Sequence, residues 1–221
     1  MSYDVVVFDW DGTLADSTGG IVQCIQYAAK KIAIAPRSDF DVQQIIGLGL
    51  TEAIQTLWPE HRGDHDLVNQ MSVAYGEFYM SEQRPKIKLF DHAHDLLEGL
   101  GQRGLELAVA TGKARRGLQR AFKETGIEHH FSASRCADET RSKPHPMMLK
   151  ELSTQLRIHP ERMLMVGDTQ FDIEMAHRAG MDAVALSHGA HSHEKLTQAS
   201  PLCVLKDLKE LQQFISSSLA G

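Results

Sequence analysis

The sequence predicts an α/β protein: a doubly wound parallel sheet interrupted by a bundle of helices. Three observations carry that prediction. The β-branched run at 5–8 and the short segments at 105–110, 133–136, 163–166 and 183–186 read as strands, each too short for a helix. From residue 105 onward these runs alternate with segments of helical period, as strands joined by crossover helices do. Between the first run and the rest, residues 16–84 show no strand-like alternation and read as helices.

Taken in order, Val5-Val6-Val7-Phe8 is a buried strand, and Asp9-Trp10-Asp11-Gly12-Thr13 stands where it ends. Gly12 frees the backbone to turn there. Ile21, Ile25 and Ala28-Ala29 recur at helical spacing, as do Ile54, Leu57 and Trp58. A turn at Ala35-Pro36-Arg37-Ser38 and a polar loop over 59–66 divide the helical region before a further helix over 67–79. In the second half, Thr111 ends one strand, Pro146 is placed to open a helix reaching Leu156, and a short strand lies near 203–204. Gly126 and Gly180 each follow an apolar-periodic helix and are read as its C-terminal cap. The result is a Rossmann-like core, residues 1–15 and 85–221, holding a helical insertion at 16–84.

The ends of the strands carry the chemistry. In open α/β sheets ligands bind outside the carboxyl ends of the strands. A spacing of two puts Asp9 and Asp11 on one side of an extended backbone. Two buried carboxylates side by side resist ionising together, so such a pair calls for a cation or for one protonated partner. A plain polar turn is the other reading of this pentapeptide taken alone.

Composition bounds the function. The chain has 221 residues, 42% hydrophobic and 24% charged, ordinary values for a globular protein. A net charge of −6 argues against non-specific nucleic-acid binding. Cys24, Cys136 and Cys203 form neither a metal spacing nor a disulfide framework, which fits a reducing cytoplasm. No run approaches membrane-spanning length and no export signal is read at the N-terminus.

Four segments, taken in chain order, resemble the motifs of the haloacid dehalogenase superfamily: Asp9-Trp10-Asp11-Gly12-Thr13; Thr111 at a strand end; Lys143 in Ser-Lys-Pro-His-Pro; and Gly167-Asp168-Thr169-Gln170-Phe171-Asp172. The nearest likeness is to its phosphoglycolate phosphatase-like group. That resemblance implies a phosphatase with Asp9 as the nucleophile that becomes an aspartyl-phosphate, and Asp11 as acid and base. Dehalogenase relatives lack an aspartate at the position of Asp11, transport ATPases carry Thr there, and phosphonate-cleaving relatives carry Ala.

The same resemblance implies Mg²⁺ held by the Asp9 carboxylate, the Asp11 carbonyl and Asp168. Asp172 would steady Lys143 or a metal-bound water. Gly12, Thr111, Gly112 and Lys143 would bind the phosphate. Helix capping is the other reading of Asp168 and Asp172. Residues 16–84 would be a cap domain hinged near Asp16-Ser17-Thr18 and Gln83-Arg84-Pro85. The expected substrate is a small phosphorylated metabolite, acted on by a monomer or homodimer without nucleic acid or membrane. Five basic residues against nine acidic ones in the insertion suit a small substrate better than a long polyanion. The rivals are a sugar-phosphate mutase, whose relatives carry a His shortly after the first motif where residues 16–24 have none, and a non-catalytic regulator that kept the fold.

Two segments depart from the family pattern. Thr111-Gly112-Lys113 stands where relatives read Thr-Asn-Lys, and Leu89-Phe90-Asp91-His92-Ala93 replaces a common Phe-Pro-Gly turn. Gly47-Leu48-Gly49 resembles a specificity loop, with an interhelical turn as the alternative. Lys113, Arg115 and Arg116 are expected on a solvated helix face, and His188, His191 and His193 in a solvated loop.

Overall fold

In the computed structural model, which describes residues 3–219, the chain opens with β1 (Val5–Phe8) and a two-residue strand β2 (Ala15–Asp16). Four helices follow: α1 (Thr18–Lys31), α2 (Asp39–Gln43), α3 (Leu50–Leu57) and α4 (His65–Met80). A short β3 (Lys88–Leu89) leads to α5 (Ala93–Gln102), β4 (Glu106–Thr111), α6 (Arg115–Thr125) and β5 (Ala133–Cys136). The chain continues through α7 (Met147–Leu156), β6 (Met163–Gly167), α8 (Gln170–Ala179) and β7 (Asp182–Leu186). It ends with α9 (His193–Gln198), β8 (Cys203–Leu205) and α10 (Leu208–Leu219).

Six strands form one parallel sheet in the order β5-β4-β1-β6-β7-β8. Numbered by their appearance in the chain, these strands run 3-2-1-4-5-6, the Rossmann order. Val5 pairs with Glu106 of β4 on one side and with Met163 of β6 on the other, so β1 is central. The winding reverses between β1 and β6, and that switch point opens a crevice at the carboxyl edge.

Alternation along β1 explains why both faces are covered. Val6 and Phe8 point into a core shared with Leu96 and Leu97 of α5, Leu118 and Phe122 of α6 and Leu211 of α10. Val5 and Val7 point into the opposite core, with Leu149 and Leu152 of α7, Ile173 and Ala176 of α8 and Leu196 of α9. Gly126 and Gly180 do cap α6 and α8, with φ of 74° and 75°. The helices α1 to α4 bury a third cluster of their own, centred on Ile25, Ala28, Ile54, Trp58 and Met71.

The pairing of β2 with β3 was not read from the sequence. Two residues are too few to show a period. This antiparallel pair lies where the chain leaves for the helical insertion and returns from it, and Phe90 N–H donates to Leu14 O beside it at 3.0 Å. The turn that follows keeps its shape without a glycine: His92 takes φ +67°, in the left-handed region, at a cost of roughly 1–2 kcal/mol. Among the described residues no helix is long and apolar enough to cross a membrane.

Candidate active site

Asp9 directly follows β1, and its N–H still donates to Val166 O of β6 at 2.8 Å. The next residue, Trp10, turns the other way and packs edge-on against Phe122 at 5.2 Å. Asp9 and Asp11 therefore share a side, 1% and 6% exposed. Gly12 sits at φ +84°, and a Cβ there would lie 2.1 Å from Asp168 Oδ2, so only glycine lets the turn approach so closely. Its N–H donates to Ala15 O at 2.8 Å, so Gly12 contributes close approach more than a free donor.

Lys143, in the loop after β5, reaches under the sheet edge and is wholly buried. Its Nζ lies 2.7 Å from Asp9 Oδ1 and 2.7 Å from Asp172 Oδ1. The other oxygen of Asp172 accepts from Thr169 N–H and Oγ–H, at 3.1 and 2.7 Å. Asp172 thus braces the start of α8 and grips Lys143 at once, which joins the two readings of it. Asp168 instead accepts from Thr13 Oγ1 at 2.6 Å and Ala190 N–H at 2.7 Å, so it is held beside Asp9 and does not cap the helix. Thr111 is fully buried at the end of β4, where its Oγ1 accepts from Lys113 N–H at 3.2 Å and keeps its own proton to donate.

Charge does not balance among these groups. Asp9, Asp168 and Asp172 place one oxygen each within 4.8 Å of one another, with the single Lys143 ammonium between them. Burial pushes the Asp9 carboxyl well above the usual range; Lys143 opposes this, while Asp172 and Asp168 add to it. Burial and Asp172 also raise Asp168, to about 7. Burial works against the Lys143 charge, yet Asp172 and Asp9 hold its pKa above the ordinary lysine value. Apart from the Lys143 ammonium on Oδ1, no donor among the described residues reaches either Asp9 oxygen. A buried carboxylate with one oxygen left without a donor, beside two more carboxylates and a single ammonium, fits a hard divalent cation with oxygen ligands.

Lys113 corrects the sequence reading. Its side chain is 6% exposed, not solvated: Nζ lies 2.9 Å from Asp11 Oδ1 and 4.8 Å from the Tyr79 ring centroid. Ser17 Oγ donates to the same Asp11 oxygen at 2.5 Å. Asp11 is therefore tied to the start of α1 through Ser17 and to α4 through Lys113 and Tyr79. Arg115 pairs with Glu139 at 2.7 Å, and only Arg116 lies exposed. Its place in Thr111-Gly112-Lys113, matched to the resembled Thr-Asn-Lys, is the one signal setting Lys113 apart from its basic neighbours, since its partner is distant in the chain.

The histidines also need correction. His191 is 1% exposed, with Nδ1 accepting from Gln170 N–H at 3.0 Å and Nε2 3.2 Å from Gln44 O. Burial, and then Lys195, lowers its pKa to about 4, so it is a neutral link between the core and the end of α2. His188 is half-buried, stacked on Phe90 at 4.0 Å, and only His193 is exposed, at the start of α9 rather than in a loop. Gly112, where the sequence departs from the resembled Thr-Asn-Lys pattern, faces the Gly47-Leu48-Gly49 turn. A Cβ at Gly112 would lie 2.5 Å from Leu48 O and 2.6 Å from Gly47 O. The backbone of that turn fills the space an asparagine would need.

Comparison with known proteins identifies the family. The family model of haloacid dehalogenase-like hydrolases matches residues 6–186. The pyrophosphatase PpaX of Oceanobacillus iheyensis is 27% identical over 221 residues, covering 100% of both chains. The tyrosine-protein kinase PtkA of Mycobacterium tuberculosis is 35% identical over 191 residues, 85% of this chain but 63% of that one. A crystal structure of a predicted phosphoglycolate phosphatase from Haemophilus somnus superposes with a TM-score of 0.84 at 27% identity, covering 97% of this chain and 98% of the other. The chain belongs to the haloacid dehalogenase-like hydrolase family, in its phosphoglycolate phosphatase-like group.

Proposed function

We propose that the chain is a Mg²⁺-dependent phosphatase that hydrolyses a small phosphomonoester through an aspartyl-phosphate on Asp9. One observation carries the reading. The Asp9 carboxylate is buried at the switch point, held by the Lys143 ammonium on one oxygen, with no donor on the other, and it lines the crevice. Such a group is poised to form a covalent bond.

One Asp9 oxygen attacks phosphorus as the bond to the leaving oxygen breaks, and Asp11 gives that oxygen its proton. Water then attacks the phosphorus of the aspartyl-phosphate, passes a proton to Asp11 and releases inorganic phosphate and the Asp9 carboxylate. Lys143 and the Thr111 hydroxyl stabilise charge on the transferring group. Asp172 keeps Lys143 in place. Asp9, the Asp11 carbonyl and Asp168 would hold Mg²⁺, which when bound supplies the positive charge that lets a carboxylate approach a phosphate dianion.

Residues 1–15 and 85–221 act as the catalytic core in this reading, and residues 16–84 as a cap that excludes water and selects the leaving group. The free thiols of Cys24, Cys136 and Cys203 suit a cytoplasmic enzyme, acting as a monomer or homodimer on a metabolite. Asp9→Asn tests the proposal: turnover of small phosphoesters with Mg²⁺ should fall to background while the fold, followed by circular dichroism, is kept. Retained turnover would refute the assignment.

A further inference from the structure

A cavity of about 630 Å³ rises from Asp9 and Asp11 between the core and the helical insertion. Its size lies within the usual ~300–1,000 Å³ of small-molecule sites. Its walls are mostly apolar. Ile21 of α1, Ile45 and Leu48 before α3, and Val73, Tyr75 and Met80 of α4 all face it. Val73 is a large hydrophobic left 55% exposed, which a bound ligand would cover.

The charged side chains around the cavity are mostly committed elsewhere. Lys113 is tied to Asp11 at 2.9 Å, and Glu77 is paired with Lys31. Arg116 stands exposed at the rim. Ser72 and Tyr75 are further polar residues of the cavity lining. A second anionic group seated inward of Arg116 would meet mostly aliphatic walls and lose much of its hydration without replacement.

We propose that the substrate's alcohol is a bulky, uncharged, apolar group, alkyl or aryl, seated in this chamber. The proposal rests on the phosphatase reading for its phosphate end. It ranks such esters above phosphoglycolate and pyrophosphate, each of which carries further charge beyond the transferring phosphate.

Primary alkyl phosphates test it with the chemistry of the leaving oxygen held nearly constant. Ethyl, butyl and 2-phenylethyl phosphate are compared with phosphoglycolate and pyrophosphate in Mg²⁺. The expected result is a rise in kcat/KM of roughly fourfold per buried methylene, with 2-phenylethyl phosphate above both anionic substrates. Val73→Arg should narrow or reverse that preference. Calorimetry of the wild-type protein with alkylphosphonates and phosphonoacetate reads the chamber without turnover. Tighter binding of the longer alkylphosphonates with no hydrolysis of any ester would support the chamber and refute the phosphatase. Preference for phosphoglycolate or pyrophosphate, with phosphonoacetate the tighter ligand, would overturn the chamber and leave the phosphatase standing.

Discussion

At the carboxyl edge of the sheet, the side chains around Asp9 are charged or hydroxylic and tied to one another, whereas the helical insertion presents mostly aliphatic and aromatic groups to the same space. Lys143 spans Asp9 and Asp172, and Asp168 is held by Thr13 and Ala190. Above them Ile21, Ile45, Leu48 and Val73 line an open chamber. Directional interactions in a buried site fail when one partner is removed, because the other is left unpaired. Apolar contact is non-directional and degrades by area. The floor should therefore tolerate almost no change, and the walls should tune preference gradually.

The largest effect is expected at Lys143. Lys143→Met leaves Asp9 and Asp172 buried without their ammonium, and losing one partner of such a pair costs roughly 3–5 kcal/mol. Urea denaturation should show that loss, together with loss of turnover. A change below about 1 kcal/mol would mean that the floor is less tightly wired than its geometry implies.

A smaller effect depends on pH. Asp168 is raised by burial and Asp172 to about 7 in the folded protein, above the ordinary aspartate value near 4. The folded state thus binds the proton more tightly than the unfolded one. This group's contribution to stability falls as pH rises from about 4 to about 7, and the penalty is complete above that. Mg²⁺ would bind the deprotonated form. The rise in Tm on adding Mg²⁺ should grow between pH 5 and pH 7.5, and Asp168→Asn should flatten it. An equal rise at both pH values would break the link between Asp168 and the metal.

The smallest effect concerns the seam between floor and walls. Gly112→Ala places a methyl against the Gly47 and Leu48 carbonyls and should push that turn outward. KM should rise several-fold with kcat less affected, because the chamber is deformed while the floor is not. An equal fall in kcat would place the turn among the groups that act in the chemical step.

The two regions also differ in what the sequence reveals. The structure places Asp9, Asp11 and Asp168 just beyond the ends of short apolar strands, where the sequence put them, whereas Lys143 was read only from Ser-Lys-Pro-His-Pro in the resembled motif set. The six parallel strands follow from the strand-like segments. The chamber was not legible: Ile21 and Ile25 have the spacing of any amphipathic helix, and a wall residue cannot be told from a core residue by period. Lys113 and His191 were misread for a related reason. Their partners, Asp11 and Tyr79 for one and Gln44 for the other, lie far away in the chain and meet them only through the packing of the insertion on the core. The β2–β3 pair was too short to leave a pattern.

If Asp9 carries the phosphoryl group during turnover, the group can be trapped there. Asp11→Asn removes the acid and base, a loss typically worth about 10²–10⁴-fold for a poor leaving group. Nitrophenolate needs little protonation, so Asp9 should still be phosphorylated by labelled nitrophenyl phosphate in Mg²⁺. Dephosphorylation would then lack its base. Rapid acid quench of this variant should show a burst of nitrophenol matched by acid-stable label on the peptide that contains Asp9. Linear release from the first turnover, with no label on that peptide, would contradict the account.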